Sequence, residues 1–215
     1  MIEISNKIKE VSTYFSTHSK SKGRYMTRKG TLGVINRLVI HCSDSSGNLE
    51  SVMSYDAGPN HISKEGLPNL TYHYWIDRDY VAQTLPLNVI SWHVGQWNND
   101  SIGACLRYRA TGAMEPPSKE QMLLAVELAS TVCLQLKMTP DQVVGHRELP
   151  GTGYDVRTGS LRKECPGILL DMTEFRYNVA KCMQTTLGLV VDGMFGPKSK
   201  KALLAYIPNN GIIKE

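Results

Sequence analysis

No apolar run in this chain of 215 residues approaches the roughly 20 residues needed to cross a bilayer, so stable membrane insertion is not expected. The opening Met1-Ile2-Glu3-Ile4-Ser5-Asn6-Lys7 lacks the basic-then-apolar layout of a signal peptide, and folding in a cytoplasm is the expectation. Cysteine is sparse and odd in number: Cys42, Cys105, Cys133, Cys165 and Cys182 do not form the framework of a small disulfide scaffold. Long linkers and low-complexity tracts are missing too. What is present, 41% hydrophobic and 20% charged residues, suits one globular domain with a small appendage. The net charge of +4 is uneven: residues 1–30 carry seven Lys/Arg against two Glu, a net +5, which leaves −1 for the remainder. A basic front end suits an anionic partner such as a cell wall, a phospholipid head group or nucleic acid, or is simply a solvated terminus. No nucleic-acid motif accompanies it, so no nucleic-acid partner is expected.

Ile4, Ile8, Val11 and Phe15 recur near helical spacing and predict an N-terminal helix. Residues 36–42 read as a strand, and 44–70, rich in Ser, Gly, Asn and Pro, as a long loop with room for a short helix. Thr71-Tyr72-His73-Tyr74-Trp75-Ile76, the turn Asp77-Arg78-Asp79 and Tyr80-Val81-Ala82-Gln83 give a hairpin signal. Residues 101–106 read as a buried strand. Ser118 and Gln121 form a capping-box pattern, after which Met122, Val126, Ala129, Cys133 and Leu136 run down one helix face. Gln142-Val143-Val144 predicts a strand leading into His146, and Asp171 with Glu174 caps a second helix carrying Phe175, Val179, Cys182 and Met183. Strands interleaved with helices around one core imply an α/β fold.

Three residues far apart in sequence share a chemistry. His41 ends Leu38-Val39-Ile40-His41, His146 ends Val143-Val144-Gly145-His146, and Cys165 sits in Lys163-Glu164-Cys165-Pro166-Gly167. Two imidazoles and a thiolate are ligands that zinc favours, and three protein ligands leave a fourth position open, the mark of a catalytic site. No short local spacing joins them, so the neighbourhoods carry the case. Lys163 falls on the same side as Cys165 if the segment is extended, where it can stabilise an oxyanion; elsewhere it would be a surface lysine. Tyr72 is a packing residue of its strand or a phenol that steers water and relays a proton. Alternation groups Tyr72 with Tyr74 and Ile76, and His73 with Trp75. His93 is placed along the same cleft as a substrate contact, while His18 and His61 read as surface residues. Cys42 is expected to pack inside, on the strand face opposite His41.

Six motifs in order carry a resemblance: Val39-Ile40-His41-Cys42-Ser43, the segment Thr71 to Asp79, Ser91-Trp92-His93-Val94-Gly95, Asn99-Asp100-Ser101-Ile102-Gly103-Ala104-Cys105-Leu106, Gly145-His146-Arg147-Glu148 and Lys163-Glu164-Cys165-Pro166-Gly167. Over residues 34–176 the chain resembles the zinc-dependent N-acetylmuramoyl-L-alanine amidases of the type-2 amidase and peptidoglycan recognition protein superfamily, in their small bacteriophage branch. The resemblance implies a mixed central sheet flanked by helices, with the site in a surface groove. It implies one zinc ion on His41, His146 and Cys165, and catalytic roles for Tyr72 and Lys163. Some relatives carry a Glu in the strand matching 101–106; Cys105 falls nearest that place here, which puts more weight on Tyr72. The stretch between His146 and Cys165 is longer than in compact phage members, and residues 150–161 read as a loop beside the cleft.

The tail resembles a second family. Leu187-Gly188 and Val191-Asp192-Gly193-Met194-Phe195-Gly196-Pro197 look like the core of small helical peptidoglycan-binding domains, with glycines suited to a tight turn between helices. Three segments follow: a basic extension over 1–33, the amidase domain over 34–176 and a wall-binding-like segment over 177–215. The resemblance implies an endolysin, a monomer acting on peptidoglycan, held in a host cytoplasm until lysis. A non-catalytic peptidoglycan receptor is one alternative, although such relatives lose a zinc ligand; a zinc peptidase cutting within the stem peptide is the other.

Overall fold

The β-prone runs of the sequence become the middle of a six-stranded sheet. A computed structural model of the chain describes residues 8–10, 25–28, 35–59, 66–68, 70–151, 154–155, 160–161 and 164–208. Its strands are β1 (Ile8–Glu10), β2 (Met26–Thr27), β3 (Arg37–Cys42), β4 (Tyr74–Ile76), β5 (Val81–Gln83), β6 (Val89–Ile90), β7 (Ser101–Leu106), β8 (Val143–Gly145), β9 (Tyr154–Asp155) and β10 (Ser160–Leu161). Its helices are α1 (Leu49–Asp56), α2 (Lys119–Leu136), α3 (Met172–Thr186) and α4 (Pro197–Ala205). The central sheet runs β1-β5-β4-β7-β3-β8. β4, β7, β3 and β8 are parallel, β5 is antiparallel to β4, and β1 runs parallel to β5. This is the mixed α/β sheet flanked by helices that the motifs imply.

Period-two alternation divides the two faces. Leu38, Ile40 and Cys42 of β3, Tyr74 and Ile76 of β4, and Ile102, Ala104 and Leu106 of β7 pack against α2 and α3 in the main core. On the other face Trp75, Ala82 and Cys105 meet Leu49 and Met53 of α1, and Val39 meets Val94 and Leu149. Cys42 therefore lies in the main core and His41 on the opposite face.

Caps set the helix starts. The Ser118 hydroxyl accepts from the Gln121 N–H at 3.1 Å, and the Asp171 carboxylate accepts from the Thr173 and Glu174 N–H groups. The reciprocal half of the Ser118 box is replaced: the Gln121 amide turns inward and donates to the carbonyls of Ile76 and Arg107 at 2.9 and 3.0 Å. The buried face of α2 is wider than its expected stripe. Leu124, Ala125, Leu128, Ala129, Val132 and Cys133 are buried, while Met122, Val126 and Leu136 line its edge. Two expectations fail for physical reasons. Residues 8–10 of the expected N-terminal helix are a strand, because the open edge of β5 offers them a ladder of hydrogen-bond partners; Ile4, Val11 and Phe15 lie outside the described residues. Tyr72 does not share a face with Tyr74 and Ile76, because β4 begins only at Tyr74, and residues ahead of it leave the pleat. It packs instead beside Trp75 and Cys105.

The tail is fastened to the domain. The boundary placed at 176/177 falls inside α3, and Leu203 of α4 is buried in the main core. Gln184 grips the turn before α4: its amide donates to Asp192 Oδ1 and Met194 O, and it accepts from the Gly193 N–H. Gly193 has φ +75°, and any Cβ there would sit 2.0 Å from the Tyr177 ring, so only glycine fits.

Arg28, from the basic front segment, ties three stretches together. Its guanidinium is buried and donates to the carbonyls of Leu87, Val89, Asn98, Asn99 and Ser101. Arg28→Leu strands these acceptors and is expected to cost more than about 2 kcal/mol in urea unfolding. Arg28→Lys, lacking the planar fork, recovers less than half of that loss. An unchanged midpoint in Arg28→Leu would show that the carbonyls find water instead.

Candidate metal centre

β3 and β8 are parallel neighbours with Ile40 opposite Gly145, so His41 and His146 follow side by side at one sheet edge. Their ring centroids are 4.8 Å apart. The chain then makes a long excursion. Its start is held by the Trp97 Nε1–H, which donates to Pro150 O at 3.0 Å, and its backbone pairs β9 with β10 in antiparallel register. Cys165 is brought back by the Arg147 N–H, which donates to Cys165 O at 2.8 Å, and by the Arg147 guanidinium on the carbonyls of Gly167 and Leu170.

The result is a cluster. One ligand atom from each of His41, His146 and Cys165 lies within 4.8 Å of the others. Cys165 Sγ is 3.6 Å from His41 Nδ1. A tetrahedral zinc with Zn–S near 2.3 Å and Zn–N of 2.0–2.1 Å places neighbouring S and N ligands about 3.5 Å apart, so the donor set and its spacing fit that ion. His41 and His146 are buried and Cys165 is half-buried, so the cluster opens to solvent on one side. The Cys42 N–H donates to Cys165 Sγ at 3.4 Å. The Cys42 thiol is itself pushed up by its hydrogen bond to Cys165 and by burial, so it stays protonated.

Tyr72 is half-buried with its ring centroid 4.8 Å from that of His41. Burial first, then Cys105, Cys165 and Asp56, raises its phenol well above the ordinary value, so it remains a hydrogen-bond donor. Cys105 is directly opposite His41 in register and fully buried, with its thiol pushed up by burial. No carboxylate occupies that strand position. Lys163 lies outside the described residues, as do His18 and His61.

His93 packs directly against His41. It is only 7% exposed and sits behind His41, with Nδ1 3.0 Å from His41 Nε2 and Nε2 3.3 Å from Ser101 Oγ. Burial, then His73, His146 and Arg28, drives its pKa well down, so it is neutral. Gly103 makes the room: a Cβ there would be 2.8 Å from His93 Nδ1. Beside it His73 accepts from the Gly103 N–H on Nδ1 and thus donates through Nε2 to Val89 O at 3.0 Å; burial pulls it down to about 3. The support of His41 by His93 and Ser101 was not foreseen from sequence. The signal available was alternation, which puts Ser101, Gly103 and Cys105 on the same sheet face as His41 of the neighbouring strand.

The chain matches the protein family described as N-acetylmuramoyl-L-alanine amidase over residues 31–168. Among curated proteins, none matches it in sequence. Among solved structures it is similar to the N-acetylmuramoyl-L-alanine amidase LysC from Clostridium intestinale URNW, with TM-score 0.55, 16% identity, and 85% of this chain and 98% of that one covered. The Ph2119 endolysin from the Thermus scotoductus MAT2119 bacteriophage Ph2119 matches with TM-score 0.55, 20% identity, and 80% and 98% covered. The amidase AmiD from E. coli, solved with anhydro-N-acetylmuramic acid-L-Ala-D-gamma-Glu-L-Lys, matches with TM-score 0.51, 19% identity, and 75% and 61% covered. At these identities the likeness concerns the fold.

One buried acid next to this centre gives a pH signature. Burial raises the Asp56 carboxyl to about 7, against a Thr71 backbone hydrogen bond that lowers it. The folded protein then holds a proton that the unfolded chain releases near its ordinary value of about 4, so stability falls as pH rises from about 4 to 7. Asp56→Asn is expected to flatten that part of the profile and to be the more stable protein at pH 7.5, measured by thermal unfolding across pH. Parallel profiles for the two proteins would contradict this.

Proposed function

The chain belongs to the N-acetylmuramoyl-L-alanine amidase family, and on that premise we propose that it hydrolyses the amide between the lactyl group of N-acetylmuramic acid and L-alanine in peptidoglycan, with one zinc ion held by His41, His146 and Cys165. The observation that carries this reading is the 3.6 Å approach of Cys165 Sγ to His41 Nδ1 beside His146. When bound, zinc supplies a Lewis acid that polarises the scissile carbonyl and acidifies water towards pKa ~7. His41 and His146, fixed at the ends of two parallel strands, would hold the ion at a set place beside Tyr72. The Tyr72 phenol oxygen accepts a hydrogen bond from the attacking water, and as it takes the water's proton it passes its own phenol proton to the leaving amine. Lys163, two residues before Cys165, stabilises the negative oxygen of the tetrahedral species.

The wider assignment is an endolysin: a monomer kept in a host cytoplasm until lysis, with peptidoglycan as its partner. No helix among the described residues is long and apolar enough to cross a membrane. Residues 34–176 act as the catalytic domain and 177–215 as a wall-binding segment. The exposed Val190, Met194 and Leu204 around the Gln184-held turn support that role for the tail.

Digestion of purified peptidoglycan tests the reaction. New L-alanine amino termini are expected, without new reducing sugar ends, and the activity should vanish with a chelator and return with zinc. Tyr72→Phe is expected to lower kcat by about 10²-fold or more, and Lys163→Ala by about 10²–10³-fold. New reducing ends would refute an amidase. Cuts within the stem peptide would point to a zinc peptidase, and binding without turnover by the zinc-loaded protein to a receptor.

A further inference from the structure

Metal ligation by histidine needs a bare nitrogen, and an imidazole has two tautomers. The structure decides between them at His41 through a directed chain of hydrogen bonds. The Ser101 hydroxyl has one hydrogen, and it donates that to Trp97 O at 2.6 Å. Towards His93 the same oxygen is therefore an acceptor, and the His93 Nε2 at 3.3 Å must carry a proton. The His93 ring is buried, and its hydrogen-bond partners are His41 and Ser101, with no acid to balance a second proton, so its Nδ1 is bare. His41 Nε2, 3.0 Å from that bare nitrogen, must be the donor. The remaining nitrogen, Nδ1, then carries no hydrogen and faces Cys165 Sγ at 3.6 Å.

We infer that His93 and Ser101 are positioning residues that lock His41 in the Nε2–H tautomer and aim its Nδ1 lone pair at the metal position. The relay runs from the Trp97 carbonyl through Ser101 and His93 to His41, and its direction is fixed at the carbonyl end, which can only accept. The arrangement is a neutral histidine standing where a carboxylate or backbone carbonyl commonly supports a metal-bound histidine. A neutral support leaves the charge of the centre unaltered, where a carboxylate would lower it. Arg28 takes part from behind: it donates to the carbonyl of Ser101 as well as to those of Asn98 and Asn99, which fixes the loop and strand start that carry the relay. The inference rests on the zinc-centre reading above, but its first test does not.

That test is made on the full chain without metal. Long-range proton–nitrogen correlation of the histidine rings should show His41 as the Nε2–H tautomer. His93→Phe removes the acceptor, and His41 should then populate Nδ1–H; His93→Asn keeps an acceptor at the δ position and should retain the native tautomer. Zinc affinity, measured by chelator competition, should fall about 10–100-fold in His93→Phe, recover largely in His93→Asn, and fall by a smaller factor in Ser101→Ala. A merely structural role for the ring would predict the same loss in the Phe and Asn variants. If metal-free wild type shows His41 as Nδ1–H, or if His93→Phe binds zinc as wild type does, the inference is overturned. If wild type takes up no zinc at all, the metal-centre reading fails, and the tautomer of His41 still decides the relay.

Discussion

Arg147 holds the chain at Cys165 against the end of β8, and the rest of the centre depends on that closure. Its backbone N–H takes the Cys165 carbonyl, and its guanidinium takes those of Gly167 and Leu170. The Tyr108 hydroxyl adds a bond to Pro166 O from the far side. With these bonds the excursion from Leu149 to Glu164 can vary in length without moving the sulfur, since loop ends that are pinned by hydrogen bonds do not pass on the conformation between them. Glu148 secures the other end of the same turn. Its carboxylate accepts from the Gly145 N–H and from Arg176 of α3, which tie the turn after β8 to both the sheet and a core helix.

The sheet then separates stability from chemistry. One face is dry, covered by α2 and α3, and carries most of the buried apolar residues. Among the described residues the opposite face is covered by α1 and loops, and there polar side chains accumulate: His41, His73, His93 and Ser101, all buried. Burying four such groups is tolerable because each has a partner and none needs to carry a charge.

Much of this was readable from residue order. The runs 36–42 and 101–106 read as strands and form the two central ones, and alternation puts Cys42 and His41 on opposite faces, as found. The chemistry of His41, His146 and Cys165 singled them out, though only parallel pairing of β3 with β8 explains why two histidines a hundred residues apart meet. The errors have a common source. The face expected for Tyr72 extends the period of β4 past its first residue, and the helix expected over 8–10 rests on apolar spacing where an unpaired edge strand offers partners instead. The contact of His93 with His41 is a further feature that residue order does not show. The burial of His93 depends on the space left by Gly103, which no local pattern announces. In each case the deciding partner is distant in sequence.

The central claim is an open zinc centre with two nitrogens and one sulfur from the protein. X-ray absorption spectroscopy of the zinc-loaded protein measures it most directly. The account predicts one sulfur at about 2.3 Å and three nitrogen or oxygen neighbours at about 2.0–2.1 Å, one of them exchangeable with solvent. A zinc shell without sulfur, or one filled by four protein ligands, would contradict it.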